Sequence, residues 1–410
     1  MTSQIERCAG LDVHKATLMA TARIPDGAGG RQAITANFGT TTSELLALRD
    51  WLQAHRVTHV AMESTGVYWK PVYYMLEDDF TLLLVNAQHL KHVPGRKSDV
   101  QDSAWIAQLL ECGLLRSSFV PPAPIRDLRE LTRCRKKQTY ERAREVNRLH
   151  RVLEDAGIKL ASVATDVMGA SGRAMLEALL RGTTDASVLA DLARGRLRRK
   201  LPALRTALQG RFRAHHAFLV GQILAKIDFL EEAIEALTRE IETRMAPFEP
   251  ALSRLETIPG VQRRTAEAIL SEISPKPEAS FPTAGHLCSW AAVCPGQEES
   301  AGKRRSGRTR AGNNALRTVL IEAALAASRA RGTALQARYF RIRRHRGHKK
   351  AIVAVAHQIL EIAYYLLSRD TTYQELGADY FDRRYRERAI RRHVRELQRL
   401  GLQVTLEQAA

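Results

Sequence analysis

Four acidic residues near the start of the chain carry its plainest chemical signal. They are Asp12 in Ala-Gly-Leu-Asp-Val-His-Lys, Glu63 in Ala-Met-Glu-Ser-Thr-Gly-Val-Tyr-Trp, and Asp99 and Asp102 in Lys-Ser-Asp-Val-Gln-Asp. Asp12 and Glu63 each end an apolar, strand-like run, so neighbouring strands would bring their carboxylates together. Asp99 and Asp102 stand three apart where a helix begins and so share a face. Four such oxygen donors suit one or two hard cations, Mg²⁺ above all, and paired metals about 3.5–4 Å apart stabilise both the attacking and the leaving oxygen of phosphoryl transfer. Taken singly, Asp99 and Asp102 read as helix-capping or dipole-complementing residues; the combination points to metal. His14 and Lys15 follow Asp12 within reach of a phosphate, or stand as an exposed strand end. Tyr68 and Trp69 would stack on a base or pack the domain.

A second candidate lies far downstream. Ser300, in Glu299-Ser300-Ala301-Gly302, is followed by Lys303, Arg304, Arg305, Arg308 and Arg310. A hydroxyl among cations is suited to attack a phosphodiester, because neighbouring positive charge favours its alkoxide and neutralises the developing phosphorane. A serine in a polar loop is also often simply solvated, and the residues alone leave both readings open.

The elements that must position these groups fall into four stretches. Residues 1–122 alternate strand and helix: strands over Cys8 to Val13, Lys15 to Arg23 and Gln32 to Phe38, a helix opened by Thr41-Thr42-Ser43-Glu44 with Thr/Ser caps, then strands over Thr58 to Met62 and Phe80 to Val85. That order predicts an α/β domain with a mixed sheet. Residues 123–250 are helical. One long helix over Leu128 to Asp155 is dense in cations, and Leu219, Ile223, Ile227, Leu230, Ile234, Leu237 and Ile241 step by threes and fours, the spacing of a coiled-coil seam or of the buried face of a bundle helix. Residues 251–375 form a mainly α unit, in which Ile258-Pro259-Gly260-Val261 before a helix over Thr265 to Ile273 reads as a helix-hairpin-helix or an ordinary helix turn. Residues 376–410 make a basic helical tail.

Over 410 residues the formal net charge is +19, and the isoelectric point is about 10.1. Such a surface attracts polyanions, and nucleic acid is the partner expected. Arg133, Arg135, Lys136, Lys137 and Arg144 of the long helix, with Lys303, Arg304, Arg305, Arg308 and Arg310, are the expected phosphate contacts. The five cysteines include no C-x-x-C pair, which argues against zinc and against a disulfide framework. The N-terminus has no apolar signal core and no unbroken apolar run has the length of a membrane span, so a cytoplasmic protein is expected.

The motifs around Asp12, Glu63, Asp99 and Asp102, with Ile258-Pro259-Gly260-Val261 and the run from Glu299 to Asn313, resemble the transposases of the insertion-sequence 110 type, including the 1111 subgroup, which are bridge-RNA-guided serine recombinases. The resemblance implies a RuvC-like, RNase H-type N-terminal domain whose DEDD set, Asp12, Glu63, Asp99 and Asp102, binds Mg²⁺. It implies a C-terminal domain whose Ser300 forms a covalent phosphoserine link to DNA, a composite site built from both, and action in the nucleoid. It further implies a coiled coil over Leu219 to Ile241 that joins protomers into a dimer or tetramer, and an element-encoded guide RNA that pairs with donor and target DNA. Many relatives carry Ser-Ser-Gly where this chain has Glu299-Ser300-Ala301-Gly302, so the alignment also admits Ser306 as a second nucleophile candidate, behind Ser300. The competing reading is a metal-dependent endonuclease of the Holliday-junction type, with water as nucleophile.

Overall fold

A computed structural model describes residues 4–64, 66–86, 102–296, 298–300, 303–306, 309 and 312–406. The chain divides into two compact units, Met1–Val120 and Pro121–Ala410.

The first unit is built on a five-stranded sheet: β1 (Cys8–Val13), β2 (Thr17–Pro25), β3 (Arg31–Gly39), β4 (His59–Glu63) and β5 (Thr81–Val85). The strand order is β3-β2-β1-β4-β5, with β1–β2 and β2–β3 antiparallel and β1–β4 and β4–β5 parallel. Strand β2 begins two residues later than its apolar run suggests, because the His14 N–H donates to the Thr17 carbonyl at 2.9 Å and closes a tight turn over Lys15. Alternation sorts the side chains. Ala9, Leu11, Val13, Leu18, Ala20, Val60 and Met62 pack with Leu45, Leu48 and Leu52 of α1 (Thr42–Ala54) and Val72 and Leu76 of α2 (Trp69–Leu76). Cys8, Ala61 and Val85 face the other way, under Ile106, Leu109 and Leu110 of α3 (Asp102–Glu111). The expected Thr41 cap of α1 makes no cap bond; its hydroxyl lies 3.2 Å from that of Ser43, while Glu44 accepts from the Gly39 N–H at 3.1 Å.

The second unit opens with α4 (Ala123–Asp155), which starts five residues ahead of the predicted Leu128 because proline is tolerated in a first helical turn. A cap of short helices follows: α5 (Leu160–Val163), α6 (Ala170–Leu180), α7 (Ala186–Asp191), a 3₁₀ turn over Gly195–Lys200, and α8 (Leu201–Ala207). The chain then returns along α9 (Ala214–Met245). Lys226 meets Glu145 at 2.8 Å, Arg142 meets Glu231 at 2.7 Å and Arg244 meets Asp127 at 3.5 Å. Partners that climb one helix while descending the other define an antiparallel hairpin. The heptad-like seam is therefore closed inside one chain: Ile223, Ile227, Leu230, Ile234 and Ile241 are buried along α9, which packs on α4, whereas Leu219 is 43% exposed.

Beyond it come α10 (Glu249–Glu256), α11 (Arg263–Ile273), α12 (Ala284–Trp290), the hairpin β6 (Glu298–Ser300) and β7 (Lys303–Ser306), then α13 (Asn314–Ala327), α14 (Ala334–Arg346), α15 (His348–Ser368) and the basic α16 (Tyr380–Arg399). Gly260 turns the chain between α10 and α11 at φ +89°, and a Cβ there would stand 2.5 Å from the Ala323 carbonyl oxygen of α13. The glycine is required there by the close packing on α13. By length and mean composition α15 could cross a membrane, although Lys349, Lys350, His357 and Glu361 interrupt its apolar run. Its face of Ala351, Val355, Ala356, Ile359, Leu360 and Ala363 is buried and packs with α12, α13 and α14, so α15 serves as the core helix of this unit.

Candidate active site

Asp12 lies on the sheet face that α3 covers, in step with Cys8 and Gly10 on β1. The parallel register pairs Leu11 with Met62, so Glu63 comes one step further along β4 beside Asp12. Asp102 is the first residue of α3. Its helix is pressed directly on β1: a Cβ at Gly10 would stand 2.2 Å from the Ser103 carbonyl oxygen and 2.4 Å from the Ala107 nitrogen. The N-terminal turn is pinned by the Ser103 hydroxyl, fully buried at 2.7 Å from Thr21 Oγ1, which in turn lies 3.0 Å from Thr35 Oγ1. At the other end Glu111 is buried and paired with Arg23 and Arg31. Sheet register and two polar anchors together bring Asp12, Glu63 and Asp102 to one end of one face. Thr21, Ser103 and Glu111 were not singled out from sequence, since nothing local marks a hydroxyl whose partner is 82 positions away.

The charges at this end interact. Burial pushes the Asp12 carboxyl above its ordinary value; His14 opposes this, with Nε2 3.2 Å from Asp12 Oδ2, and Asp102 and Glu63 push it further up. The donors are all oxygen, partly buried, and mutually repulsive without a cation, a set that fits a hard divalent ion. Asp99 lies outside the described residues.

Ser300 ends strand β6, partnered across the ladder with Lys303, while Glu299 pairs with Arg304 and Glu298 with Ser306. The loop that carries this hairpin is pinched at its base by a Pro295–Thr309 bridge, and Gly312 is required there because a Cβ would stand 2.6 Å from that of Ala292. Arg305 lies in β7; Arg308 and Arg310 lie outside the described residues.

The long cationic helix holds the other expected phosphate contacts, and three of them face carboxylates of the same unit. Arg135 is 5% exposed and donates to Glu267 at 2.6 Å. Arg133 binds both oxygens of the buried Glu272 at 2.6 and 2.9 Å, and Lys136 pairs with Glu322. These bonds dock α11 and α13 on α4, and Asn313, the N-cap of α13, donates to the same Glu272 at 2.6 Å. Lys137 and Arg144 are exposed and, among the described residues, form no ion pair.

Among the described residues, the trio of potential metal ligands whose ligand atoms lie within 4.8 Å of one another is Asp155, His215 and His216. His216 Nδ1 accepts the Arg213 N–H at 3.1 Å, which leaves the ring proton on Nε2 to be donated to Asp155 at 2.9 Å. With both nitrogens engaged, the imidazole caps α9 and has no lone pair for a cation.

The comparisons with known proteins fall on these same segments. A DEDD transposase model of the IS110 type matches residues 9–158, which span all four acids. A model of the IS116/IS110/IS902 transposase family matches residues 252–340, which span Ser300. Together they cover more than half of the chain, and the chain belongs to the IS110 transposase family. It is also 29% identical over 163 residues to the "Insertion element IS110 uncharacterized 43.6 kDa protein" of Streptomyces coelicolor, a match over 38% of this chain and 38% of that protein, less than two thirds of its length.

Proposed function

We propose that this protein is a DNA transposase that cuts and rejoins the ends of an insertion element, with Ser300 as nucleophile and Mg²⁺ held by Asp12, Glu63, Asp99 and Asp102. The observation that carries this reading is the convergence of Asp12, Glu63 and Asp102 at one end of a sheet face, within the segment that the DEDD transposase model matches. The strand order, three antiparallel strands followed by two parallel ones with α3 across the face, supports a RuvC-like fold for the first unit.

In the reaction so proposed, Ser300 Oγ forms a bond to the scissile phosphorus, the bond from phosphorus to one deoxyribose oxygen breaks, and that oxygen leaves as a hydroxyl with the proton the serine gives up. Attack by a deoxyribose hydroxyl of the new partner strand reverses the step and restores Ser300. The phosphodiester energy is conserved in the covalent intermediate, so no nucleotide cofactor is needed. Bound Mg²⁺ would supply charge stabilisation at the phosphoryl oxygens. The carboxylates hold the cation, and α3, anchored through Ser103 and Glu111, fixes where Asp102 stands. Lys303 and Arg304, across the ladder from Ser300 and Glu299, supply positive charge to the strand being cut. An element-encoded guide RNA and assembly into a dimer or tetramer complete the reading, as does action on nucleoid DNA.

The test is a denaturing gel of cleaved, labelled DNA. Wild-type protein should leave a band of protein joined to DNA, absent in Ser300→Ala and retained in Ser306→Ala. Free 5′-phosphate ends with no attached protein, undiminished in Ser300→Ala, would replace the serine reading with attack by water in a metal-dependent endonuclease.

A further inference from the structure

The cap at the tip of the α4–α9 hairpin carries a strip of cations that none of the reading above uses. Residues 156–213 hold eleven Lys or Arg against four Asp or Glu, and five of the cations, Arg194, Arg196, Arg198, Arg199 and Lys200, fall within seven residues. All five are exposed. The four acids are committed elsewhere: Asp166 accepts the Met168 N–H at 2.9 Å, Glu177 holds Arg173 at 2.8 Å, Asp185 caps α7 through the Ser187 N–H at 2.7 Å, and Asp191 meets Arg205 at 3.5 Å. Among the described residues no carboxylate pairs with any of the five. This is the reverse of α4, where most of the cations are consumed by the protein's own acids.

The strip is also held in shape. Gly195, at φ +54°, turns the chain into the 3₁₀ segment, and the Arg194 N–H is fixed by Ser171 Oγ at 2.9 Å. Leu197 and Leu201 pack against the cap core and anchor the segment's inner side. With three residues per turn, Arg196 and Arg199 fall in one row about 6 Å apart, away from the row of Leu197. Lys200 is tied to the Val163 carbonyl at 3.0 Å. Guanidinium forks in a fixed row match phosphate oxygens. No aromatic side chain lies between Arg194 and Lys200 to stack on unpaired bases, so a paired backbone fits the strip better than a single strand.

We infer that the cap is a docking surface for the phosphate backbone of duplex DNA, engaged through Arg196, Arg198 and Arg199. The inference rests on DNA as the substrate and on none of the catalytic assignments. It is tested with full-length protein in EDTA, so that binding is read without cleavage, by fluorescence anisotropy of a labelled DNA duplex over a range of KCl. In R196Q/R198Q/R199Q the slope of log affinity against log salt should fall by about 2–3 units, and by about one in R198Q alone, whereas R239Q, which removes a charge already paired with Glu235, should leave it unchanged. An unchanged slope in a triple variant whose circular dichroism and melting match wild type would overturn the inference. So would a loss confined to RNA of the same length. Wild-type protein without salt-dependent duplex binding would instead overturn the proposed function.

Discussion

The Ser103 hydroxyl stands 2.7 Å from that of Thr21, and this bond ties the first turn of α3 to β2 one residue past Asp102. It is fully enclosed, and Thr21 is shared with Thr35 at 3.0 Å. Replacing Thr21 by Val keeps the shape and removes the partner, leaving a buried hydroxyl unpaired. The expected cost is about 1–3 kcal/mol, read as a lower urea midpoint at unchanged slope, together with weaker Mg²⁺-dependent cleavage because Asp102 loses its anchor.

Gly10 is the second control on that helix. With the Ser103 carbonyl oxygen 2.2 Å from where a Cβ would be, Gly10→Ala forces α3 off the sheet. Overpacking of this kind costs about 1–3 kcal/mol. Cleavage should fall to background while duplex binding by the helical unit persists, a split that anisotropy and a cleavage assay on one preparation would show. Cleavage at the wild-type rate would remove α3 from the account of the site.

The Asp12 carboxyl sets a pH dependence whose sign follows from its environment. Burial raises it above the ordinary carboxylate value, against His14 and with the help of Asp102 and Glu63. The folded state therefore holds this proton more tightly than the unfolded chain, and the stability it contributes is lost as pH rises from the ordinary value through the raised one. Metal binding requires the deprotonated form, so stabilisation by Mg²⁺ should grow across the same window. Thermal melts should show Asp12→Asn more stable than wild type at neutral pH in EDTA, and an upward shift with Mg²⁺ in wild type only.

The buried pair Arg135–Glu267, at 2.6 Å with side chains 6% and 1% exposed, predicts a clean separation of stability from binding. Glu267→Ala leaves a buried guanidinium without its partner, and breaking such a pair costs about 3–5 kcal/mol. The salt slope for DNA should not change. Lys137→Gln and Arg144→Gln should do the opposite, each lowering the slope by about one unit with little effect on melting. Equal slopes in all three variants would remove α4 from the DNA surface.

These contrasts mark what the residues disclose and what they hide. Strands β1 to β5 are legible to within a few residues because each is a short apolar run bounded by polar turns, and Asp12 and Glu63 stand out because a carboxylate ending such a run is out of place in a core. The role of Arg133 and Arg135 is not legible, since the carboxylates that neutralise them lie 139 and 132 positions away, beyond any local pattern. The seam of α9 carries its period in the sequence, but a period names a buried face and not the surface that buries it; that surface is α4 of the same chain. The cap strip at Arg194 to Lys200 is not legible either, because its distinction is the absence of nearby acid partners among the described residues, which only the fold reveals.

Asp155 and His216 touch at 2.9 Å across 61 positions of sequence, and just beyond them the Lys159 N–H reaches the Ala207 carbonyl and the Arg211 N–H that of Ala156, both at 2.7 Å. The chain thus leaves and re-enters its two-helix stalk at a single stitched point. Below that point the insertion shares one core with both shafts, Leu149 and Leu153 of α4 and Val220, Ile223 and Ile227 of α9 packing with Met175, Leu176 and Leu189, and Arg173 grips both oxygens of Asp228 at 2.6 and 2.7 Å. A tip fastened both at its neck and through its interior turns with the stalk as one piece, so a load placed on the arginine strip is passed down the shafts rather than absorbed at a joint.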